Sequence, residues 1–160
     1  MGRVGLGGSL CHYQRLFLTC AANNQLSCLC VFGLGQFLLD VSRKREAADA
    51  FVQAALLAPD DFEAVFNAAA TLREVKDLQR AEHYYRRAVQ LRPDDVVVYR
   101  NLGALLHLQG RWNEAEDNYK LALHLSPDDK TTLINMQRLH HAIDSQRQQQ
   151  QQQQQRNDSH

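Results

Sequence analysis

The sequence predicts an all-α protein, and more specifically a right-handed α-solenoid of three helix pairs that ends in a capping helix. Leucine and alanine, which are both strong helix formers, supply 23 and 18 of the 160 residues. Only three prolines occur, and valine and isoleucine are sparse, which disfavours a β-sandwich or barrel. The three prolines also recur at one constant interval, a pattern typical of stacked helical repeats.

Composition and hydropathy argue against several classes of function. The chain has 18 basic and 18 acidic side chains, a balance that disfavours a nucleic-acid-binding protein and a polybasic membrane-surface module. No apolar run reaches the roughly 18 residues of a transmembrane helix. The longest, at residues 28–39, is interrupted by Gln36, and the run at 16–22 is short for a signal peptide.

The repeat is visible in the phrases around the prolines. Residues 57–61, 91–95 and 125–129 each read Leu-X-Pro-Asp-Asp, with Pro59, Pro93 and Pro127 at their centres, which sets a period of 34. The same period aligns small residues (Ala47, Ala81, Ala115; Ala54, Ala88, Ala122; Gly35, Ala69, Gly103) and aromatic residues (Phe51, Tyr85, Tyr119). A fixed period of this length predicts a solenoid in which each unit buries its apolar face against its neighbours.

Each unit is predicted to contain two helices joined by a short turn. The first helices are expected at residues 29–42, 62–75 and 96–109, and the second helices at 45–58, 78–91 and 112–125. The small residues allow two helices to approach closely, and the aromatic residues fill the space between units. Each proline ends a second helix, because it cannot donate a backbone N–H, and the two aspartates after it cap the next helix.

These columns resemble the tetratricopeptide repeat family over about residues 28–129. The third unit fits best, with Tyr99, Leu102, Gly103, Gly110, Trp112, Ala115, Tyr119, Ala122 and Pro127 at the family's spacings. The second unit departs from the pattern at Ala68-Ala69 and at Lys76, which replaces the turn glycine, and the first unit has Ser42 at that turn. The resemblance implies a scaffold that binds a protein or an extended peptide on a concave face lined by the first helices.

This register also sets the expected organisation of the chain. Residues 1–27 are interpreted as irregular or as a degenerate half-repeat, residues 28–61, 62–95 and 96–129 as three units, 130–147 as a capping helix, and 148–160 as a disordered polyglutamine tail. The glutamine run at 148–155 has a second interpretation, a frayed extension of the capping helix. Leu133, Met136, His140 and Ile143 form the apolar stripe predicted for that helix. Because a solenoid rarely begins within a unit, we expect the chain to be a fragment or an altered product of a longer protein.

No catalytic residue, metal site or cofactor is predicted. Glycine-rich phosphate loops and the GxSxG and HExxH motifs do not occur in the sequence. Neighbouring side chains such as His140 and His141 point about 100° apart on a helix, so this pair does not make a metal site by itself. The four cysteines (Cys11, Cys20, Cys28, Cys30) lack paired CxxC spacing, and we interpret them as small apolar residues in helices rather than as a zinc site or a disulfide framework.

The candidate binding site is a column of asparagines on the first helices, at Asn67, Asn101 and Asn135. A carboxamide both donates and accepts, so one amide per unit can hold a peptide backbone without recognising its side chains. The column resembles the asparagine ladder in the tetratricopeptide region of O-GlcNAc transferase. Arg100 and Arg138 lie one and three residues from the rungs and could bind an acidic group or a C-terminal carboxylate. The alternative is that these asparagines cap or bridge neighbouring helices.

A related use of the fold is the two-carboxylate clamp of Hsp70 and Hsp90 co-chaperones, which needs basic residues on the first helices. Here Val97 and Asn101 occupy two of the clamp positions, and Phe32 occupies a third. We therefore predict that no such clamp is present.

Residues 59–143 also resemble the C-terminal repeats of the transmembrane and tetratricopeptide repeat-containing proteins, most clearly at residues 105–111, which read Leu-Leu-His-Leu-Gln-Gly-Arg, and at Tyr119 after them. Members of that family resemble endoplasmic-reticulum protein O-mannosyltransferases whose catalytic half spans the membrane. The resemblance implies a lumenal repeat tail that carries no enzyme active site itself. A possible N-glycosylation acceptor at Asn157 is compatible with the lumen. The alternative is a stand-alone cytosolic adaptor.

Overall fold

The computed structural model describes residues 27–157, and this range contains seven α-helices and no β-strand. The helices are α1 (Cys28–Asp40), α2 (Lys44–Leu57), α3 (Phe62–Glu74), α4 (Leu78–Leu91), α5 (Val96–Leu108), α6 (Trp112–Leu125) and α7 (Lys130–Asn157). The first six begin and end within two residues of the predicted bounds. The predicted half-repeat up to residue 26 and the residues after 157 lie outside the described part of the chain.

The chain divides into two compact units at the bond between Pro93 and Asp94. In the N-terminal unit, α1 packs against α2, α2 against α3, and α3 against α4. In the C-terminal unit, α5 packs against α6 and α6 against α7, and α7 also touches α5. Each unit is thus built from consecutive helices, the all-α repeat fold that the sequence predicts.

Helices α3, α5 and α7 begin at side-chain caps, and only the second aspartate of each phrase provides them, whereas α1 has no side-chain cap. Asp61 accepts hydrogen bonds from the backbone N–H groups of residues 63 (2.9 Å) and 64 (3.2 Å). Asp95 accepts from residues 97 (2.8 Å) and 98 (3.3 Å), and Asp129 accepts from residue 132 (3.1 Å). These bonds satisfy backbone donors that have no partner within the helix. Asp60 does not cap α3; it accepts from Arg87 of α4 instead (3.0 Å).

The turn inside each helix pair contains one residue with positive φ. These residues are Ser42 (62°), Lys76 (68°) and Gly110 (75°). The left-handed conformation suits glycine because glycine has no Cβ. The chain keeps the same turn geometry even where serine and lysine replace the glycine.

The small and aromatic columns form the core as predicted. The six aligned alanines at 47, 81, 115, 54, 88 and 122 are 0% exposed, and Phe51, Tyr85 and Tyr119 are fully buried or nearly so. Gly103 shows why small residues are needed, because a Cβ there would lie 2.7 Å from the Tyr119 ring. A Cβ on Gly35 would likewise lie 2.9 Å from the Phe51 ring, so in these two pairs the ring of the second helix fills the space that a glycine of the first helix leaves.

Helix α7 corrects two expectations. Its buried residues are Thr132 and Leu139, whereas Leu133 of the predicted stripe is 41% exposed and His140 is also exposed. Met136 and Ile143 of the predicted stripe are half-buried, so the covered line runs beside the predicted one and shares two of its residues, on the side of α7 that packs mainly against α6. The helix also continues past residue 147, through the glutamine run, to Asn157, which agrees with the second interpretation of that run as an extension of the helix and not with a disordered tail. Glutamine is a good helix former, so the extension follows from propensity although its side chains are exposed.

The cysteines of α1 only partly fit their interpretation. Cys30 is buried in the helix, as expected of a small apolar residue, but it is also disulfide-bonded, which the sequence analysis did not predict. Cys28 is a half-buried free thiol whose pKa is raised by burial. Cys11 and Cys20 lie outside the described residues.

Candidate functional site

The three asparagines of the predicted column lie on equivalent positions of three helices. Asn67 is in α3 of the N-terminal unit, and Asn101 and Asn135 are in α5 and α7 of the C-terminal unit. All three side chains are half-buried. In α3 the residues buried against α2 and α4 lie on the other side of the helix, so Asn67 belongs to its solvent-facing stripe.

Two of these amides are held by their own helix. The Asn67 Nδ2 donates to the backbone carbonyl of residue 63 at 2.7 Å, and the Asn101 Nδ2 donates to that of residue 97 at 2.9 Å. Within residues 27–157, Asn135 forms no hydrogen bond, and none of the three asparagines bonds to a neighbouring helix. Asn118 of α6, outside the column, makes the same bond to residue 114 at 2.8 Å. The bond is therefore a property of asparagine in these helices, and it leaves the amide oxygen and one N–H unused.

The two predicted arginines have different surroundings. Arg100 is mostly buried and pairs with Asp129, its Nη1 lying 3.0 and 3.1 Å from the two carboxylate oxygens. Asp129 also caps α7, and hydrogen bonds from Thr132 and then from Arg100 hold its pKa below the usual value. Arg100 thus ties α5 to the start of α7. Arg138 is exposed, and no residue of the described range pairs with it.

An aromatic cluster beside Asn67 was not found in the sequence analysis. The rings of Phe62 and Phe66 stack with their centroids 5.6 Å apart, and Phe66 meets Tyr85 edge to face at 6.0 Å. The Arg92 guanidinium lies 3.8 Å from the centre of the Phe62 ring. The sequence does contain a signal for the stacked pair. Phe62 and Phe66 are four residues apart, and residues at that spacing are neighbours on a helix surface.

The titratable side chains of the described range show no catalytic arrangement. No three His, Cys, Asp or Glu side chains of residues 27–157 come together where they could hold a metal ion. Glu116 of α6 lies 2.9 Å from Lys120 and 3.6 Å from His140 of α7, and the Lys120 hydrogen bond is the main cause of its lowered pKa. Among the helices described, none is long and apolar enough to cross a membrane.

The fold and this surface define an all-α helical repeat protein, and comparison with known families agrees. A tetratricopeptide repeat model matches residues 60–128, from the last two residues of the first predicted unit to the last residue but one of the third. No curated protein sequence matches the chain. The predicted O-mannosyltransferase relationship therefore receives no support from these comparisons.

Several solved tetratricopeptide structures share the fold. The first tetratricopeptide domain of Spaghetti (RPAP3), bound to the HSP90 peptide SRMEEVD, has a TM-score of 0.68 and 20% identity, over 73% of this chain and 93% of that one. MamA has a TM-score of 0.74 and 16% identity, over 85% and 77% of the two chains. The Sgt2 domain from Aspergillus fumigatus has a TM-score of 0.67 and 15% identity, over 76% and 82%. At these identities the likeness establishes the fold.

Proposed function

We propose that this chain is a non-catalytic scaffold that binds an extended protein segment or peptide on the solvent-facing stripes of its first helices. The supporting observation is the asparagine column: three half-buried amides recur with the period of the repeat, each with unused hydrogen-bonding groups. Such amides suit the alternating N–H and C=O groups of an extended backbone. The first domain of Spaghetti, which has a similar fold, is bound to an HSP90 peptide, and this supports a peptide-binding role for the fold.

The ligand-binding residues proposed are Asn67, Asn101, Asn135 and Arg138. Arg100 was predicted with them, but its pairing with Asp129 commits its guanidinium to the fold. The C-terminal unit carries two amides and Arg138, and the N-terminal unit carries the third amide next to the aromatic pair. A site built mainly from amides holds the backbone of its ligand and tolerates many side chains.

The test is an alanine series with a matched control. Binders are first selected from a random-peptide phage library against the whole chain, and their Kd is measured by fluorescence anisotropy. Replacing Asn67, Asn101 and Asn135 together by alanine is expected to weaken binding by roughly tenfold or more, at about 0.5–1.5 kcal/mol for each hydrogen bond. Asn118→Ala removes the same type of helix bond outside the column and should leave Kd unchanged. Equal weakening by Asn118→Ala, or unchanged binding by the triple variant, would contradict the proposal.

We further propose that the surface lacks the co-chaperone carboxylate clamp. Two of the clamp positions are occupied by Val97, which is 39% exposed, and by Asn101, and a third is occupied by Phe32. None of these side chains supplies a cation for a terminal carboxylate. The peptide SRMEEVD should therefore bind no more tightly than the same peptide with an amidated C-terminus. Tighter binding of the free acid would overturn this exclusion.

The cellular setting we propose is the endoplasmic-reticulum lumen, as the repeat tail of an O-mannosyltransferase-like membrane protein. This rests on the sequence resemblance of residues 59–143 and on the acceptor triplet at Asn157. The alternative is a stand-alone cytoplasmic adaptor. The natural protein, expressed in cells, should lose mass on endoglycosidase treatment, and an Asn157→Gln variant should not. If glycosidase treatment leaves the mass unchanged and the protein fractionates with the cytosol, the adaptor is favoured.

A further inference from the structure

One arginine on the solvent-facing surface of α3, Arg73, has no ion-pair partner among residues 27–157. Arg73 lies half-buried in the last turn of α3, and its guanidinium makes no ion pair or hydrogen bond with any residue from 27 to 157. The neighbouring acids already have partners: Glu74 pairs with Lys44 at 2.8 Å, and Glu63 pairs with Arg92 at 3.4 Å. The Arg73 guanidinium therefore remains the uncompensated charge of this surface.

Arg73 shares the solvent-facing stripe of α3 with the aromatic pair and with Asn67. The half-buried residues of this stripe are Phe62, Phe66, Asn67, Ala70 and Arg73. Ala70 lies one helical turn from both Phe66 and Arg73, and its methyl side chain is the smallest on the stripe. Phe66 and Arg73 lie on either side of Ala70 and are seven residues apart. At 1.5 Å per helical residue, the aromatic side chain and the cation are therefore about 10 Å apart along the helix.

The environment of Arg73 is apolar on its inner side. Tyr85 is completely buried there, and its hydroxyl has no hydrogen-bond partner in the described part of the chain. Burial raises the pKa of Tyr85 to about 12, while the positive charge of Arg73 opposes that rise and Glu74 adds to it. A guanidinium at the edge of such a poorly solvated region attracts a carboxylate more strongly than one in open water does.

The C-terminal unit also has basic residues at the positions that the repeat period aligns with Arg73. The positions equivalent to Arg73 in the two following repeats are His107 and His141. Each of the three basic residues follows an asparagine of the candidate site by six positions. A cation near the C-terminal end of a helix also interacts favourably with the helix dipole, so the experiment must separate a ligand-binding role from a stabilising one.

We propose that the ligand of this surface is an acidic extended peptide, which places a carboxylate on Arg73 and an apolar side chain on the Phe62–Phe66 pair. The inference rests on the proposed peptide-binding function. An extended peptide advances about 3.3 Å per residue, so a span of about 10 Å corresponds to an apolar and an acidic residue separated by three positions. Charge complementarity selects the acidic ligand, because the two acids of α3, Glu63 and Glu74, are already paired with Arg92 and Lys44 and do not neutralise Arg73.

The experiment uses the whole chain and two pools of synthetic nine-residue peptides. Each pool fixes a leucine and, three positions later, either glutamate or glutamine, and the other positions are randomised. The unmodified chain is expected to bind the glutamate pool roughly tenfold more tightly, as for a charge-assisted hydrogen bond. Arg73→Gln should abolish this preference, so that the two pools bind with about the same Kd. Arg45→Gln is the matched control, because Arg45 is an exposed arginine of α2 in the same unit and lies off the stripe.

The outcomes separate this inference from the proposed function. If Arg73→Gln lowers the melting temperature but keeps the preference for glutamate, Arg73 only stabilises its helix and the inference fails. If Arg45→Gln removes the preference equally, the effect comes from net charge and the inference also fails. If Asn67→Ala weakens binding of both pools while the preference for glutamate survives in Arg73→Gln, the proposed peptide-binding function stands and the role given to Arg73 fails. Binding of neither pool, with no peptide selected from the phage library, would overturn both.

Discussion

At the turn of the third helix pair, the free-energy cost of a left-handed backbone conformation can be measured separately from any steric clash. Gly110 has φ of 75°, and a Cβ built on it would meet no atom within 4 Å. Any destabilisation by Gly110→Ala must therefore come from the backbone conformation rather than from a clash. A left-handed residue with a Cβ costs about 1–2 kcal/mol, and the lower entropy of unfolded alanine returns about 0.4–1 kcal/mol. We expect a net loss of about 1 kcal/mol.

The opposite change tests the same reasoning in the other unit. Lys76 adopts φ of 68° at the equivalent turn, so Lys76→Gly should relieve the Cβ strain and raise the free energy of unfolding by about 0.5–1 kcal/mol. Lys76→Gly also removes a charge. Lys76→Asn removes the same charge but keeps a Cβ, and asparagine tolerates the left-handed region better than most residues, so it is a useful companion variant.

Urea unfolding followed by fluorescence is the assay for Gly110→Ala. Trp112 is the only tryptophan of the sequence and begins α6 two residues after Gly110, so its emission reports on the C-terminal unit. Far-UV circular dichroism follows both units and serves for Lys76→Gly. The midpoint should fall for Gly110→Ala with an unchanged slope. An unchanged or higher midpoint would refute the reasoning, because it would mean that positive φ carries no cost at this turn.

Three further predictions concern the core and the cap of α7. Tyr85→Phe should raise stability by about 1 kcal/mol in urea unfolding, because it removes a buried hydroxyl that lacks a partner in the described range; a loss would reveal a bond outside that range. Gly103→Ala should lower stability by about 1–2 kcal/mol despite its better helix propensity, because the new Cβ would press on the Tyr119 ring, and Tyr119→Leu in the same chain should reduce that penalty. The folded-state pKa of Asp129 is lowered, so the stability that it supplies is present above its unfolded pKa of about 3.9 and is lost as pH falls through the folded value. Acid titration of the melting temperature should therefore show a smaller decrease in Asp129→Asn, and an equal decrease would contradict this assignment.

Much of the fold could be predicted because the period of 34 fixes the register of every unit at once. The prolines and the alanine columns located six helices to within two residues, and the aspartate phrases located the caps of α3, α5 and α7. The prediction failed where the repeat ends. A stripe through Leu133 and His140 was expected from helical spacing, but Leu139 is the buried residue, since burial depends on which neighbours are present.

The candidate site was only partly accessible from sequence. The asparagine column follows directly from the period, and the three residues do occupy equivalent half-buried positions. Whether an arginine near that column is available to a ligand depends on its partners, which spacing does not reveal. Arg100 forms an ion pair with Asp129, which caps α7. Arg73 has no ion-pair partner in the described range, because the neighbouring Glu74 pairs with Lys44.

The sequence by itself determined the helical period, the small-to-aromatic core columns and the positions of the helix caps. These features are local or repeat at a fixed interval, so propensity, capping chemistry and spacing suffice to derive them. The tertiary structure alone decided that Tyr85 is buried without a hydrogen-bond partner in the described range and that Phe66 of α3 meets the Tyr85 ring of α4 edge to face. It also decided which basic side chains of that range remain unpaired. Those properties depend on contacts between helices distant in sequence, and only the packed chain brings the groups together.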